Sequence, residues 1–356
     1  MNRRIIRGFV LLLAALSGLS SSCGPEPIVT PEDNHFETGL FVLNEGVYQM
    51  NNSTISYIED GHVTKDLFLE QNGRGLGDTG NDLQRYGLKL YCVVNNSHRV
   101  EVMNLDGTSV KGISLPGKQP RYVAFHNGKA YVSCFDGDVV RIDTNKLEVE
   151  ATLHSGLNPE GICVCKGKLY VANSGGLNFP DYGHTVSVID LATFTLLKEI
   201  EVGINPGLVQ AYRDRYVYVV SRGDYGAVPY NLHKIDALTD ELVKTYDWEV
   251  LGFYVYGQTG YMYHYDFGSH ASWIRTMDLE SDQILTENFI TDGTKIETPY
   301  GICVNPLNGD VYISDAFNFT VSGKVFQFDQ HGVLKESYTV GINPGHLLFC
   351  TPAVEK

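Results

Sequence analysis

One unit repeats along nearly the whole chain, and a repeat of this kind decides the architecture before any single residue is weighed. One copy reads Lys168-Leu169-Tyr170-Val171-Ala172-Asn173, then Thr185-Val186-Ser187-Val188-Ile189-Asp190, then Ile200-Glu201-Val202-Gly203-Ile204-Asn205-Pro206. Units open at Pro120, Pro159, Pro206, Pro299 and Pro344, spaced about 40 to 50 residues apart wherever consecutive units keep the Pro. A Tyr-containing strand recurs around Tyr91, Tyr131, Tyr170, Tyr218, Tyr261 and Tyr312, and a third strand runs into Asp106, Asp143, Asp190, Asp236, Asp278 and Asp329. Short β-rich runs punctuated by Gly, Asn and Asp are the signature of a four-stranded meander.

Four strands at this period make a propeller blade, and the chain ends tell how the ring closes. The last unit, Pro344-Gly345-His346-Leu347-Leu348-Phe349-Cys350, supplies an innermost strand with nothing after it. The first, Leu40-Phe41-Val42-Leu43-Asn44 and then Thr54-Ile55-Ser56-Tyr57-Ile58, begins at the second strand. Joining them completes a blade and hides strand edges that would otherwise be unpaired. The expected fold is an all-β, seven-bladed β-propeller of four-stranded blades over residues 39–350, with 351–356 as a short tail. A solenoid would need capping units at both ends, and the chain has none.

The N-terminus reads as an export signal. Arg3, Arg4 and Arg7 precede an apolar run over residues 9–16, and Ser20-Ser21-Ser22 stand before Cys23. Such a run is too short to span a membrane permanently. A Cys directly after small residues resembles a bacterial lipobox, although Ser20 stands where a lipobox usually has Leu. That resemblance implies a signal peptide over 1–22 and a lipid on Cys23; plain secretion is the alternative. Residues 23–38, rich in Pro and acids at their start, read as a flexible tether. Glu26, Glu32 and Asp33 beside Cys23 resemble the acidic signal that sends some lipoproteins to the outer face of the outer membrane.

The net charge of −15 argues against a nucleic-acid partner and against an electrostatic hold on anionic lipid. Six Cys remain after Cys23. Cys163 and Cys303 sit at the same place in Gly-Ile-Cys-Val innermost strands, Cys350 lies in another, and Cys92 and Cys134 fall in or just after Tyr-containing strands. Their placement reads as buried small fillers; a disulfide pairing cannot be assigned from sequence. Cys163-Val164-Cys165 is too tightly spaced for a zinc pair or a redox motif. No phosphate-cradling Gly loop opens a helix, and neither a Gly-x-Ser-x-Gly elbow nor His-Glu-x-x-His is present. Gly73-Arg74-Gly75-Leu76-Gly77 leads into a strand. His62, His126, His154 and His331 read as solvent-facing, and Trp248 and Trp273 as packing residues of outer or third strands.

In a meander the strand ends alternate between the two faces of the disc. One face receives short polar turns such as Asn127-Gly128, Lys166-Gly167, Arg213-Asp214, Gln258-Thr259-Gly260 and Asn308-Gly309. The opposite face receives longer connections at 44–52, 95–99, 135–138, 173–184, 221–230, 265–272 and 314–322. These hold Tyr48, Phe135, Phe179, Tyr182, Tyr225, Tyr230, Tyr265, Phe267, Phe317 and Phe319, interleaved with Asn96, His270 and, on an entering turn, Arg121. Connecting loops seldom carry so many rings, because each exposed ring leaves apolar area in water. Rings from all round the disc with amides between them point to a broad binding surface; mutual packing of the loops is the plain alternative. The channel mouth gathers Asn44, Asn95, Cys134, Asn173, Ser221, His264 and Asp315, with Asp78, Asp82, Arg121, Glu160 and His346 from the entering turns. Such groups could hold Ca²⁺ and support hydrolysis of a lactone or ester, though structural Asx turns explain many of them equally well.

Through Tyr170-Val171-Ala172-Asn173, Val186-Ser187-Val188-Ile189-Asp190 and Gly203-Ile204-Asn205-Pro206 the repeats resemble the YVTN/YncE-type β-propeller family over roughly residues 39–350. Among its lipoproteins the chain looks like the surface cobalamin-binding propellers (BtuG type) of vitamin B12 uptake. That resemblance implies capture of cobalamin or a related corrinoid at the cell surface and delivery to a TonB-dependent outer-membrane transporter, with no cofactor and no catalysis. A glycan platform, a protein scaffold and a metal-dependent lactonase are the other readings, since one fold carries many activities.

Overall fold

The computed structural model describes Phe36 and residues 38–352. Cys23, the export signal at 1–22, most of the expected tether and residues 353–356 lie outside them. The described residues form seven four-stranded antiparallel sheets. Blade 1 is the closing blade, ordered Pro344–Cys350, Gly39–Asn44, Thr54–Glu59 and His62–Thr64 from the inside outwards. Blades 2 to 7 follow in chain order over residues 80–114, 120–154, 159–201, 206–246, 252–286 and 299–342. Innermost strands of successive blades lie side by side all the way round, including blade 7 against blade 1. The seam is an antiparallel ladder, with Gly39 opposite Cys350 and Leu43 opposite His346, that slips between Leu43 and Asn44.

The core is seven clusters, one at each interface between neighbouring blades. This explains why the second strands read as unbroken apolar runs. Successive side chains of a strand point to opposite faces, and both faces of an inner strand are covered. Leu169 and Val171 pack towards blade 3, while Tyr170 and Ala172 pack towards blade 5. Likewise Leu40 and Val42 face blade 7, whereas Phe41 and Leu43 face blade 2. The recurring Tyr does a further job, because its hydroxyl crosses to the turn after the third strand of the next blade. Tyr91 reaches the Thr144 carbonyl, Tyr170 the Asp240 carboxylate and Tyr218 the Leu279 carbonyl.

The short turns fall on one face as expected. Asn127-Gly128, Lys166-Gly167 and Arg213-Asp214 carry consecutive positive φ values; the first two close two-residue hairpins, for which that backbone avoids splaying the strands, and the third sits in a three-residue loop. Gln258-Thr259-Gly260 is corrected. The turn is Gly257-Gln258, and Thr259 already opens the second strand of blade 6. Trp248 lies beyond the outer strand Glu241–Tyr246, stacked on Tyr246 at 4.7 Å. A one-turn helix, Leu67–Asn72, has no counterpart in the repeat. It plugs the gap between blades 1 and 2 with Leu67 and Phe68. All six Cys of the described residues are free thiols. Cys92 and Cys350 share the cluster between blades 1 and 2, and Cys134, Cys165 and Cys303 each fill a different one.

Candidate functional site

The sequence of each innermost strand prepares the axis. In six of the seven blades the ladder between first and second strands slips just after the strand's opening residue. A bulge leaves a residue unpaired and re-aims it. The residues so released are Asn81, Arg121, Tyr122, Glu160, Gly161, Gly207, Tyr300 and Gly345, and all but Glu160, Gly161 and Gly207 line an axial cavity of about 410 Å³ on the loop face. Arg222, the first residue after the second strand of blade 5, joins them there, as do Glu45, Tyr225, Tyr230, Tyr265, Phe267 and Phe319.

Two guanidiniums and one carboxylate organise the axis. Glu160 is buried and accepts from Arg121 through Nε at 3.0 Å and Nη2 at 3.2 Å. Arg222 donates to its Oε1 through Nη1 at 3.3 Å. Burial opposes the charge on Arg222, and Glu160 together with Tyr122 and Tyr225 more than offsets it, so the guanidinium is held above its ordinary range. Glu45 is different: burial pushes its carboxyl upwards, against a 2.6 Å hydrogen bond donated by the Tyr300 hydroxyl. Asp82 is also raised by burial, with His346 Nδ1 3.1 Å away.

Above this cavity the rings are not spread evenly round the disc, which corrects the expectation from sequence. They form an arc on blades 4 to 7. Phe179 meets Tyr182 edge-on at 6.0 Å, Tyr182 meets Tyr225 at 6.0 Å, Tyr225 meets Tyr230 at 6.3 Å, and Tyr230 meets His264 at 5.5 Å. His264 stacks in turn on Trp273. A second run joins Tyr265 to Phe267 at 4.9 Å, Phe267 to Phe319 at 6.2 Å and Phe319 to Tyr300 at 5.7 Å. Two further clefts open beside the arc, of about 640 Å³ between Tyr225 and Phe267 and about 940 Å³ between Tyr265 and Phe319. Such volumes are those of small-molecule sites.

Local chemistry holds the arc's loops in shape. Asp224 Oδ1 accepts from the N–H groups of Gly226 and Val228, Asp266 Oδ1 from Gly268 and Ser269, and Asn318 Oδ1 from Thr320. These N–H groups hold the Asp224 and Asp266 carboxyls below their ordinary range. Tyr225, His270, Phe317 and Phe319 all have φ between 50° and 66°. Bulky side chains rarely adopt that backbone; Leu147 and Phe194, in the turns before the outer strands of blades 3 and 4, share it.

The individual candidates divide. Phe179, Tyr225 and Phe267 are exposed, and Tyr182, Tyr230, Phe317 and Phe319 half-buried. Tyr265 ends the second strand of blade 6 instead of lying in the loop after it, is 5% exposed, bonds His270 Nδ1 through its hydroxyl at 2.6 Å and borders the axial cavity. Tyr48 is exposed but belongs to neither run of rings. Phe135 lies under the Arg121 guanidinium at 4.4 Å, and the Asn96 amide donates to Asp78 at 3.1 Å. Glu45, Arg222 and Tyr300 were not singled out from sequence; Tyr300 alone carried a signal there, as the residue following a unit-opening Pro.

Four of the channel-mouth residues considered for catalysis are bound into the scaffold. Asn44 donates to Thr54 Oγ1 and Ser56 Oγ, and Asn173 to Thr185 Oγ1 and Ser187 Oγ, the same pair of bonds in two blades. Asn95 donates to the Pro120 carbonyl. Asp315 accepts from the backbone of Glu297, Thr298 and Phe317. Among the described residues no group of three or more His, Cys, Asp or Glu is arranged to hold a metal ion.

Residues 38–340 match the model of a domain of unknown function, DUF5074. The chain belongs to the DUF5074 family. A search of curated proteins finds no match for this DUF5074 chain. Among solved structures it is similar to hydrazine synthase of Kuenenia stuttgartiensis, with a TM-score of 0.60 and 15% identity, covering 82% of this chain and 92% of that one. It is similar also to the computationally designed protein Ika8, with a TM-score of 0.56 and 13% identity, covering 87% and 95%. At these identities the likeness is one of fold.

Proposed function

We propose that the loop face captures a broad, flat ligand against the arc of blades 4 to 7, and that this ligand is a corrinoid. The observation that carries the reading is the run of rings beside the axial cavity, with exposed Phe179, Tyr225 and Phe267 backed by half-buried Tyr182, Tyr230 and Phe319. Rigid aromatic side chains give large contact area at small entropic cost. A corrinoid is a wide macrocycle rimmed with amides, matched to rings for contact and to His270, Asn318 and Tyr hydroxyls for hydrogen bonds. The likeness of the repeats to YVTN/YncE-type propellers supports the same reading. The lipobox-like start supports an outer-membrane lipoprotein, anchored through Cys23 and facing the cell exterior, that hands its cargo to a TonB-dependent transporter. Binding rather than turnover is favoured because Glu160, Asp315, Asn44 and Asn173 already satisfy scaffold hydrogen bonds.

Calorimetric titration of the full chain, purified in detergent, with cyanocobalamin tests this. Nanomolar or tighter affinity is expected. Tyr182→Ala and Phe267→Ala should each weaken it by about 5- to 150-fold, the cost of truncating a ring anchor. Unchanged affinity in both variants removes the arc from the site, and no binding at all removes the corrinoid.

A further inference from the structure

We infer that the axial cavity is an oxyanion site, in which Arg121 and Arg222 hold a phosphate or carboxylate group of the captured ligand beneath the aromatic arc. Two guanidiniums carry ten N–H donors. Among the described residues three of these donors are taken, all by Glu160. Both arginines line the cavity of about 410 Å³, and Glu160 does not. The carboxylate therefore clamps the pair from outside the cavity, fixing two forks whose remaining donors serve the cavity side.

Several features show that this geometry is built. Arg121 is pinned between Glu160 and the Phe135 ring, 4.4 Å from its Cζ. Arg222 lies so close to the innermost strand of blade 5 that a Cβ on Gly207 would come within 2.4 Å of its Cζ. Only a residue without a side chain leaves that berth free. Their side chains are 15% and 23% exposed, so an anion here meets them largely away from water, where charge-assisted bonds are strongest. Planar forks match the oxygens of phosphate and carboxylate two at a time. Two guanidiniums face one clamping carboxylate, in a chain of net charge −15. Glu45 is the one carboxylate lining the cavity, and Tyr300 donates a hydrogen bond to it.

This inference deepens the capture reading, and its test separates the two. The full chain in detergent is titrated with cyanocobalamin, which carries a phosphodiester, and with dicyanocobinamide, which lacks it. Thermal unfolding is followed in parallel with phenyl phosphate, benzoate and neutral phenol. Cyanocobalamin should bind roughly 10- to 100-fold more tightly than dicyanocobinamide. Arg222→Met should erase that preference, and a single cooperative thermal unfolding transition with wild-type far-ultraviolet circular dichroism reports that the variant is folded. Phenyl phosphate or benzoate, whichever group the cavity takes, should raise the unfolding temperature of the wild type; phenol should not. Equal affinity for the two corrinoids without any anion effect overturns the oxyanion site and leaves the corrinoid reading standing. Failure of both corrinoids, with an anion effect lost in Arg222→Met, upholds the oxyanion site and overturns the corrinoid. Should Arg222→Met not fold, the wild-type comparisons decide alone.

Discussion

Replacing Glu160 by Gln keeps the shape of the side chain and removes its charge. Glu160 is 2% exposed and is the shared counter-ion of Arg121 and Arg222. Removing one partner of a buried ion pair costs about 3–5 kcal/mol, because the charge left behind has lost its water and its partner alike. The two arginines border a cavity that admits solvent, which places the expected loss near the lower end, about 3 kcal/mol. Replacing all three residues together, as Arg121→Met, Glu160→Leu and Arg222→Met, removes the desolvation cost with the attraction. Such replacements are commonly neutral or stabilising, so the triple variant should return to within about 1 kcal/mol of wild type. Urea unfolding at pH 7, compared at equal m value, measures both. A Glu160→Gln protein within about 0.5 kcal/mol of wild type, or a triple variant as weak as the single, would refute the account of the axis as a strongly coupled, buried charge cluster.

Other expectations follow from the same geometry. Burial lowers the His233 pKa to about 4 from the ordinary 6.5, and the Gly203 N–H donates to its Nε2, so the ring is held neutral. A depressed histidine contributes its full stability above about pH 6.5 and loses it as the pH falls towards 4, by about 3 kcal/mol in all; His233→Gln should flatten that part of the pH–stability curve, and an NMR pKa above 6 would contradict it. Tyr170→Phe deletes the hydroxyl that latches blade 4 to Asp240 of blade 5 and should cost about 1–2 kcal/mol in urea unfolding, whereas an unaltered midpoint would show the latch to be idle. Burial raises the thiol pKa of Cys92, Cys163 and Cys303, so iodoacetamide at pH 7.5 should leave them unmodified in the native protein and label them after unfolding; rapid native labelling would show that the blade interfaces open.

The fold was legible because its information is local and repeated. A Pro opens each of five innermost strands, a Tyr marks the second strand and an Asp closes or follows the third, so strand order, blade count and closure could be read from the repeat. The apolar runs of the second strands carried more than strand propensity, since burial on both faces is what a blade between two neighbours requires. The site was legible only in part. That the long loops share a face follows from meander geometry, but which rings touch depends on how loops of different lengths fold back. The 174–184 and 222–230 loops bring Tyr182 to Tyr225, while the short loop of blade 3 leaves Phe135 to cover Arg121. Arg121, Glu160 and Arg222 come from three blades, and nothing local in the sequence joins them. The bulge after each opening Pro, which delivers Arg121 and Tyr300 to the axis, appears only in the pairing register.

The seam in blade 1 makes the ring a test of its own completeness. Gly39–Asn44 is among the first strands to emerge and waits for Pro344–Cys350, the last. Until that strand arrives, Leu40 and Val42 lack Leu347 and Phe349 in the interface with blade 7, and the cluster between blades 1 and 2 lacks Leu348 and Cys350. A chain truncated anywhere before residue 344 would present an open edge of unpaired N–H and C=O groups, a substrate for proteases and for strand addition. Closure of the ring, and completion of the interface between blades 7 and 1, is thereby coupled to arrival of the strand Pro344–Cys350.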